Sequence, residues 1–180
     1  MSAVAENSAL TFRNAVSADV PAVVALVESA YRGDASRVGW TTEADMLDGQ
    51  RVDIGGVGEL VLRSGSRILL GECDMELVAC CHIERQADAC YFGMFSVRPT
   101  AQSGGIGRRM LAQAECIARD AWNCRKMEMT VISIRDELIA WYERRGYRRS
   151  GVFKPFPYGD ARFGIPKRDD LRFELLEKTL

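Results

Sequence analysis

The chain has 180 residues, a length that suits one domain with a sizeable hydrophobic core. Apolar residues make up 47% of it and charged residues 27%, which is ordinary for a globular protein. A formal net charge of −1 argues against binding to nucleic acid or to an anionic membrane surface. We therefore expect a single domain over residues 1–180, with no nucleic-acid and no membrane partner.

Neither apolar runs nor cysteine spacing indicate a membrane span, a secretory signal or a metal site. No apolar run reaches the roughly 18 residues that cross a bilayer, and the N-terminus lacks a basic start followed by an apolar stretch. The six cysteines form no Cys-x-x-Cys pair, and only His82 could join them at a metal. We expect Cys80, Cys81 and Cys90 to be buried in strands and Cys124 to be exposed. This usage indicates a reducing cytoplasm, without disulfides.

The first half of the chain predicts a strand, several helices and a hairpin. The predicted elements are a strand at 11–16, a helix capped by Ser17 and ending at Tyr31, a short helix through Glu43 to Leu47, a weak helix ending near Arg63, and hairpin strands at 68–72 and 76–84.

The second half alternates strands and helices around a glycine-rich segment. The predicted elements are a strand at 89–97, a helix at 106–121, a strand at 126–132, a helix at 135–145 and strands at 151–156 and 171–177. Gly146 follows the last helix, where the chain commonly turns left-handed. The connection at 157–170 is long for a compact domain, which is typical either of functional loops or of a surface excursion packed on itself.

The glycine-rich segment reads Gln102-Ser103-Gly104-Gly105-Ile106-Gly107, between a strand and a helix. Such a loop favours anion binding, because glycines let several N–H groups point to one place and the helix start adds partial positive charge. The spacing excludes a Walker loop, since Arg108 follows the last glycine. It also excludes a dinucleotide fingerprint, since Met110 stands at the third glycine position. A plain turn between strand and helix is the alternative.

The order Gln-x-x-Gly-x-Gly, with Val97-Arg98-Pro99 upstream, resembles the acyl-CoA-binding signature of the GNAT N-acetyltransferase superfamily. The segment from Tyr142 to Tyr147 resembles the late helix of that family, Tyr-x-x-x-Gly-aromatic. The resemblance extends over residues 11–178. It implies an α/β (α+β) fold, a single GNAT-like domain with a central mixed, mostly antiparallel sheet flanked by helices.

The resemblance also implies transfer of the acetyl group of acetyl-CoA directly to a primary amine of a small molecule or peptide. Tyr142 corresponds to the usual general acid, which protonates the departing thiolate of CoA, although a core role is the alternative. Trp141 is expected in the core. Arg109 is an alternative to Arg108 as a phosphate contact, and each could equally be solvated. The residues implied to hold acetyl-CoA are Phe95, Ser96, Val97, Gln102, Ser103, Gly104, Gly105, Ile106, Gly107 and Arg108.

The sequence identifies neither the general base nor the acceptor substrate. Many relatives carry a glutamate on the strand before the loop, whereas residues 89–97 contain no acid. The candidate bases are Glu84, His82, and Glu43 or Asp45; a hydrogen-bonded, half-buried histidine and a glutamate capping its own helix are the structural alternatives. The residues expected at the acceptor site are Trp40, Glu43, Glu84 and Tyr158.

Two other functions compete with acetyl transfer to an amine. One is a non-catalytic acyl-CoA-binding sensor, and the other is an acyltransferase that uses a different acyl-CoA. Homodimers are common in the family, so a homodimer is one option for this chain.

Overall fold

The computed structural model describes residues 9–180, in which strands and helices alternate from end to end. The strands are β1 (Thr11–Asn14), β2 (Leu47–Asp48), β3 (Ser66–Cys73), β4 (Glu76–Gln86), β5 (Ala89–Val97), β6 (Lys126–Ile132), β7 (Arg148–Pro155), β8 (Ile165–Pro166) and β9 (Arg172–Thr179). The α-helices are α1 (Val20–Tyr31), α2 (Ile54–Leu62), α3 (Ile106–Cys116) and α4 (Asp136–Glu143). No helix in this part of the chain is long and apolar enough to cross a bilayer.

Seven strands form one sheet in the order β1-β3-β4-β5-β6-β9-β7. Every neighbouring pair is antiparallel except β5 and β6, which are parallel, so the predicted mixed, mostly antiparallel sheet is confirmed. The parallel pair is short: it joins only Ala89–Tyr91 to Lys126–Glu128. Beyond Tyr91 the two strands therefore part, and residues 92–97 of β5 leave their β6-facing edge unpaired with that strand.

A bulge reshapes β5 at the point where the gap opens. The ladder with β4 shifts between Cys80 and His82, and Met94 takes a positive φ of 49°. A bulge adds an unpaired residue and increases the local twist, which directs the following residues away from the regular sheet. The gap between β5 and β6 is thus built into the backbone.

Helices cover both faces of the sheet and bury two main cores. One core packs α3 and α4 on the sheet through residues such as Met110, Leu111 and Ile139. The other packs α1 and α2 on the opposite face through residues such as Val23 and Ile68. The apolar stripes predicted for α1 and α3 are the faces that make these contacts, so the hydrophobic effect holds the helices against the sheet.

The predicted short helix through Glu43 to Leu47 is wrong. The Leu47 amide donates to the Glu43 carbonyl at 2.9 Å, which closes one turn, and β2 begins immediately and pairs with β8. Tertiary contacts thereby override local helix propensity. The same pairing ties the long 157–170 connection to the body of the protein.

Two smaller expectations also need correction. α1 begins at Val20 after a short 3-10 turn that starts at Ser17, so Ser17 does not cap the helix. Cys124 is only 4% exposed and belongs to the main core, whereas we expected it at the surface. The predicted burial of Cys80, Cys81 and Cys90 is confirmed, and all six cysteines are free thiols.

Candidate active site

The glycine loop delivers unpaired backbone amides to one point. Residues Pro99–Gly104 form a short 3-10 helix, Gly105 adopts φ 75°, and α3 begins at Ile106. The first hydrogen bond of α3 runs from the Arg109 amide to the Gly105 carbonyl at 3.2 Å. The amides of Ile106, Gly107 and Arg108 precede that bond and have no backbone partner among residues 9–180. They form the positive end of the helix, which favours an anion.

Gly105 and Gly107 serve different purposes. A Cβ on Gly105 would meet nothing within 4 Å, so this residue faces open space in a left-handed conformation that favours glycine. A Cβ on Gly107 would lie 3.2 Å from the ring of Phe95. Gly107 therefore lets α3 pack closely against β5, which brings the helix start next to the β5 edge.

A cleft of about 210 Å³ lies beside the loop, and we call it the loop cleft. Seven of the ten residues expected to hold acetyl-CoA line it, together with residues from α1, α4 and the segment after α1. Its lining consists of Tyr31, Trp40, Thr41, Phe95, Val97, Gln102, Ser103, Gly105, Gly107, Arg108, Leu138, Trp141 and Arg145. The other three expected residues, Ser96, Gly104 and Ile106, are not part of this lining.

The Gln102 side chain is already fully hydrogen-bonded within the protein. Its Nε2 donates to Thr41 Oγ1 at 2.9 Å and to the Val97 carbonyl at 3.1 Å, while its Oε1 accepts from the Trp40 amide at 2.8 Å. A Cβ on Gly39 would lie 2.4 Å from Gln102 Oε1, so Gly39 is needed for this close approach. Gln102 thus fastens the 39–41 segment to the glycine loop, and it occupies the Val97 carbonyl.

Trp141 and Arg145 are cleft residues that the sequence reasoning missed. Trp141 was expected in the core; it packs against the core but is only partly buried and also lines the cleft. The Arg145 guanidinium lies 3.5 Å from the centroid of the Trp141 ring. Arg108 lines the same cleft, whereas Arg109 donates to the Leu10 carbonyl at 3.2 Å, near β1. Of the two arginines after the glycines, Arg108 is the one beside the cleft.

Tyr142 lines a second cavity, the tyrosine cavity, that shares Tyr31, Phe95 and Leu138 with the loop cleft. The Tyr142 ring packs edge-on against Trp141, with centroids 5.1 Å apart. Its hydroxyl has no hydrogen-bond partner within residues 9–180. Burial, reinforced by the neighbouring Tyr31, raises the pKa of Tyr142 well above 10. The phenol is therefore protonated at neutral pH and free to donate.

A third cavity, the aromatic cavity, has a volume of about 390 Å³ and continues from the tyrosine cavity. The two share Arg51, Gly93, Met94, Thr130, Ile132 and Phe173. The remaining walls of the aromatic cavity include His82, Tyr91, Phe156, Phe163 and Arg32. The three cavities thus follow one another through the gap between β5 and β6, from the glycine loop past Tyr142.

Glu43 is the centre of a buried charge cluster. Its carboxylate accepts hydrogen bonds from Arg32, from Arg51 at 3.0 Å and from Arg135 at 3.0 Å. Burial alone would raise the pKa of Glu43, but the charges of Arg51, Arg135 and Arg32 outweigh it and lower that pKa. A carboxylate held so firmly in its charged form is a poor proton acceptor, and it caps no helix of its own.

His82 is buried on β4 and hydrogen-bonded to Ser66, with 2.8 Å between Nε2 and Oγ. The single proton of the Ser66 hydroxyl goes to the Leu60 carbonyl at 2.8 Å, so His82 Nε2 must carry the proton of this pair. The other nitrogen, Nδ1, then keeps its lone pair and has no partner within residues 9–180. Burial lowers the pKa of His82 below 6.5, which keeps the ring neutral at pH 7.

Of the remaining candidates for the acceptor site and the general base, one lines a cavity and the others lie outside the three cavities. Trp40 lines the loop cleft, 6.4 Å from Trp141 between ring centroids. Glu84 pairs with Arg63 at 3.4 Å and is not among the residues that line the three cavities. Asp45 is exposed and pairs with Arg37 at 2.8 Å. None of these contacts brings a free carboxylate to the passage.

Tyr158 also lies off the passage. Its hydroxyl accepts from the Leu171 amide at 2.8 Å, and its ring packs on Phe156 with centroids 5.2 Å apart. The long connection reaches the aromatic cavity through Phe163 instead. The connection therefore lines the aromatic cavity through Phe163 and not through Tyr158.

Comparisons with known proteins agree with this geometry. The family model described as Acetyltransferase (GNAT) domain matches residues 64–149, which include β4, β5, the glycine loop and α4. Residues 64–149 thus resemble the GNAT acetyltransferase domain. The resemblance drawn from the glycine loop and the late helix is thereby confirmed, and it supports acyl transfer in general.

Solved GNAT structures superpose along almost the whole chain. The ribosomal-protein-S18-alanine N-acetyltransferase from Escherichia coli gives a TM-score of 0.70 at 12% identity, covering 95% of this chain and 94% of that one. A ribosomal-protein-alanine N-acetyltransferase from Brucella melitensis gives 0.69 at 21% identity, covering 94% and 99%. An IAA acetyltransferase from Bacillus cereus gives 0.65 at 15% identity, covering 96% and 100%. At these identities the likeness establishes the fold. Among curated protein sequences none matches significantly.

Proposed function

We propose that this protein is an N-acetyltransferase that moves the acetyl group of acetyl-CoA directly to a primary amine. The observation that supports this best is the order of groups along one passage. The loop cleft, with the unpaired amides of the glycine loop, comes first. The tyrosine cavity, with the unpartnered Tyr142 hydroxyl, comes second, and the aromatic cavity follows it.

The loop cleft fits the two chemically distinct parts of acetyl-CoA. The diphosphate would take the amides of Ile106, Gly107 and Arg108, with the guanidinium of Arg108 or Arg145 as a further donor. The pantetheine arm would follow the free edge of β5 toward Phe95, whose ring is the inner wall of the cleft. Acetyl-CoA, when bound, supplies an acetyl group already activated as a thioester.

The protein's own groups account for both proton movements of the transfer. As the bond between amine nitrogen and acetyl carbon forms and the carbon–sulfur bond breaks, Tyr142 donates its phenolic proton to sulfur. The proton that the amine loses goes to His82 Nδ1, directly or through water. His82 is preferred to Glu43 and Glu84 because it lines the aromatic cavity with a free lone pair, whereas both glutamates are paired with arginine.

Two measurements on the purified protein test this function. Isothermal titration with acetyl-CoA should show binding. Release of free CoA thiol, followed over a panel of polyamines, amino acids, aminoglycosides and peptide N-termini, should then identify acetylated acceptors. Binding without thiol release for every amine would favour an acyl-CoA sensor. Faster turnover with bulkier acyl-CoAs would favour a different acyl donor, and absence of any binding to the folded protein would refute the proposal.

A further inference from the structure

Basic side chains dominate the charge of the inner passage. The charged residues that line the tyrosine and aromatic cavities are Arg32, Arg51, Arg135 and Glu43, so three guanidinium groups face a single carboxylate. Two positive charges are therefore left in excess. Buried charges are costly unless they are paired, so this excess favours a negative group that residues 9–180 do not supply in the lining of these cavities.

The three arginines differ in what they have left to offer. Both terminal nitrogens of Arg135 are engaged, because Nη1 donates to Glu43 at 3.0 Å and Nη2 donates to the Thr41 carbonyl at 2.5 Å. Arg32 is only 8% exposed and bonds Glu43 and the Phe163 carbonyl, while its Nε is buried with no partner within residues 9–180. Both arginines line the cavities, but their side-chain hydrogen bonds go to Glu43 and to backbone carbonyls of the protein.

Arg51 differs from the other two in combining unpartnered donors on two adjacent nitrogens with a partly exposed side chain. Only its Nη1 binds Glu43, at 3.0 and 3.2 Å from the two carboxylate oxygens, and its Nε and Nη2 have no partner in the described chain. The side chain keeps 28% of its surface exposed and lies 4.0 Å over the centroid of the Tyr31 ring, which fixes its plane. Glu28 accepts hydrogen bonds from the Arg51 and Val52 amides at 2.7 and 2.9 Å, so the backbone is fixed too.

The residues that line the rest of the aromatic cavity include no carboxylate that would pair with a second cation. Phe156, Phe163 and Phe173 give it apolar walls, and burial lowers the pKa of His82, so that this ring is neutral at pH 7. A polyamine would bring further positive charge to a site that already has an excess. A carboxylate would instead match the adjacent Nε and Nη2 donors of Arg51 in the bidentate geometry that guanidinium favours.

We propose that the acceptor is an amine that also carries a carboxylate and an apolar side chain, as an apolar α-amino acid does, with the carboxylate on Arg51. This inference rests on the proposed acetyl transfer and assigns its substrate class. The cavity volume of about 390 Å³ suits a molecule of that size.

The test compares matched acceptors that differ only in charge. Leucine, methionine and phenylalanine are each assayed beside their carboxamides, with spermidine as the polycationic reference, by thiol release from acetyl-CoA. We expect kcat/KM to be at least tenfold higher for the carboxylates, a difference of about 1.4 kcal/mol. Equal or higher values for the carboxamides or for spermidine would overturn the inference while leaving acetyl transfer intact.

The Arg51→Gln variant separates recognition from catalysis. We expect a tenfold or larger rise in KM for the amino acids and little change for their carboxamides, so that the preference disappears. Arg148→Gln is the matched control, since the Arg148 side chain is 76% exposed on β7 and, within residues 9–180, pairs only with Glu177 at 3.0 Å. A preference for carboxylates that persists in Arg51→Gln would refute the assignment to Arg51.

A binding measurement tests the proposed carboxylate site on Arg51 even if no amine is acetylated. The N-acetyl amino acids and their carboxamides are titrated into wild type and Arg51→Gln with CoA present. If the carboxylates bind more tightly than the carboxamides to wild type but not to Arg51→Gln, the carboxylate site on Arg51 is supported. That result would hold even if the protein transferred no acetyl group. Carboxamides that bind as well as the carboxylates, or no binding of either, would overturn it.

Discussion

Replacing Glu43 by Gln tests whether this residue holds the arginine cluster together or takes part in chemistry. Glu43 is 3% exposed in its side chain and bonds three guanidinium groups, two of which are almost as deeply buried. The amide has nearly the same shape as the carboxylate but no charge. The variant therefore leaves Arg32, Arg51 and Arg135 without a counter-charge.

The burial of Glu43 determines how much stability the variant should lose. Removing one partner of a buried ion pair costs about 3–5 kcal/mol, and the lower end applies because the amide oxygen still accepts a hydrogen bond and Arg51 is partly solvated. For a domain of this size 1 kcal/mol shifts Tm by roughly 2–4 °C. We therefore expect Glu43→Gln to melt roughly 6–12 °C below wild type.

The pH dependence of the difference in Tm between wild type and Glu43→Gln tests whether that difference is electrostatic. Because the pKa of Glu43 is lowered from its usual 4.5 by the arginines, its contribution to stability is present above pH 4.5 and is lost as pH falls below that value. The difference in Tm between wild type and variant should therefore narrow on the acid side.

Thermal unfolding by circular dichroism, with turnover measured on the same samples, decides between the two roles. Glu76→Gln is the control, because that glutamate is 70% exposed and its pair with Arg98 is worth about 0–1 kcal/mol. A variant that melts like wild type yet has lost turnover would contradict our reasoning and point to Glu43 as a catalytic group.

Three further substitutions test the proposed chemistry. Tyr142→Phe should lower kcat by about 10²–10⁴-fold while acetyl-CoA affinity, by titration, stays within twofold; an unchanged kcat would remove Tyr142 as the acid. Gly105→Glu should abolish acetyl-CoA binding, because it places a carboxylate where the diphosphate is expected, and normal affinity would refute the loop assignment. His82→Gln should lower kcat at least tenfold and remove the acid limb of the pH–rate profile, expected below pH 6.5 because burial lowers the pKa of His82. An unchanged profile would exclude His82 as the base.

The parts of this protein that could be predicted from sequence are those specified by neighbouring residues. The strand at Ala89–Val97 was predicted with its observed bounds, because a continuous apolar run ends at a proline. The glycine loop was recognised because the role proposed for it uses backbone groups, and glycine spacing reports directly on backbone geometry.

The arginine cluster and the aromatic cavity could not be predicted, because their geometry depends on contacts between distant residues. Glu43 and Arg135 are 92 positions apart in the chain, and no local pattern announces that they meet. The two-residue pairing of β2 with β8 carries too little periodicity to be recognised, although it decides which aromatic residue reaches the cavity. The availability of His82 Nδ1 likewise depends on the proton that Ser66 gives to Leu60.

The two ends of the passage are nevertheless joined by one short segment of chain. Gln102 binds Thr41 through its side chain, Arg135 binds the Thr41 carbonyl, and Arg135 also binds Glu43 two residues further on. The segment that closes the loop cleft at Trp40 is therefore the same one that positions the arginine cluster. Buried polar networks of this kind are costly when only partly satisfied, so a change in this segment should affect both the cleft and the cluster. The hydrogen bonds of the Gln102 side chain, all made within the protein, thereby connect the glycine loop to the segment that carries Glu43.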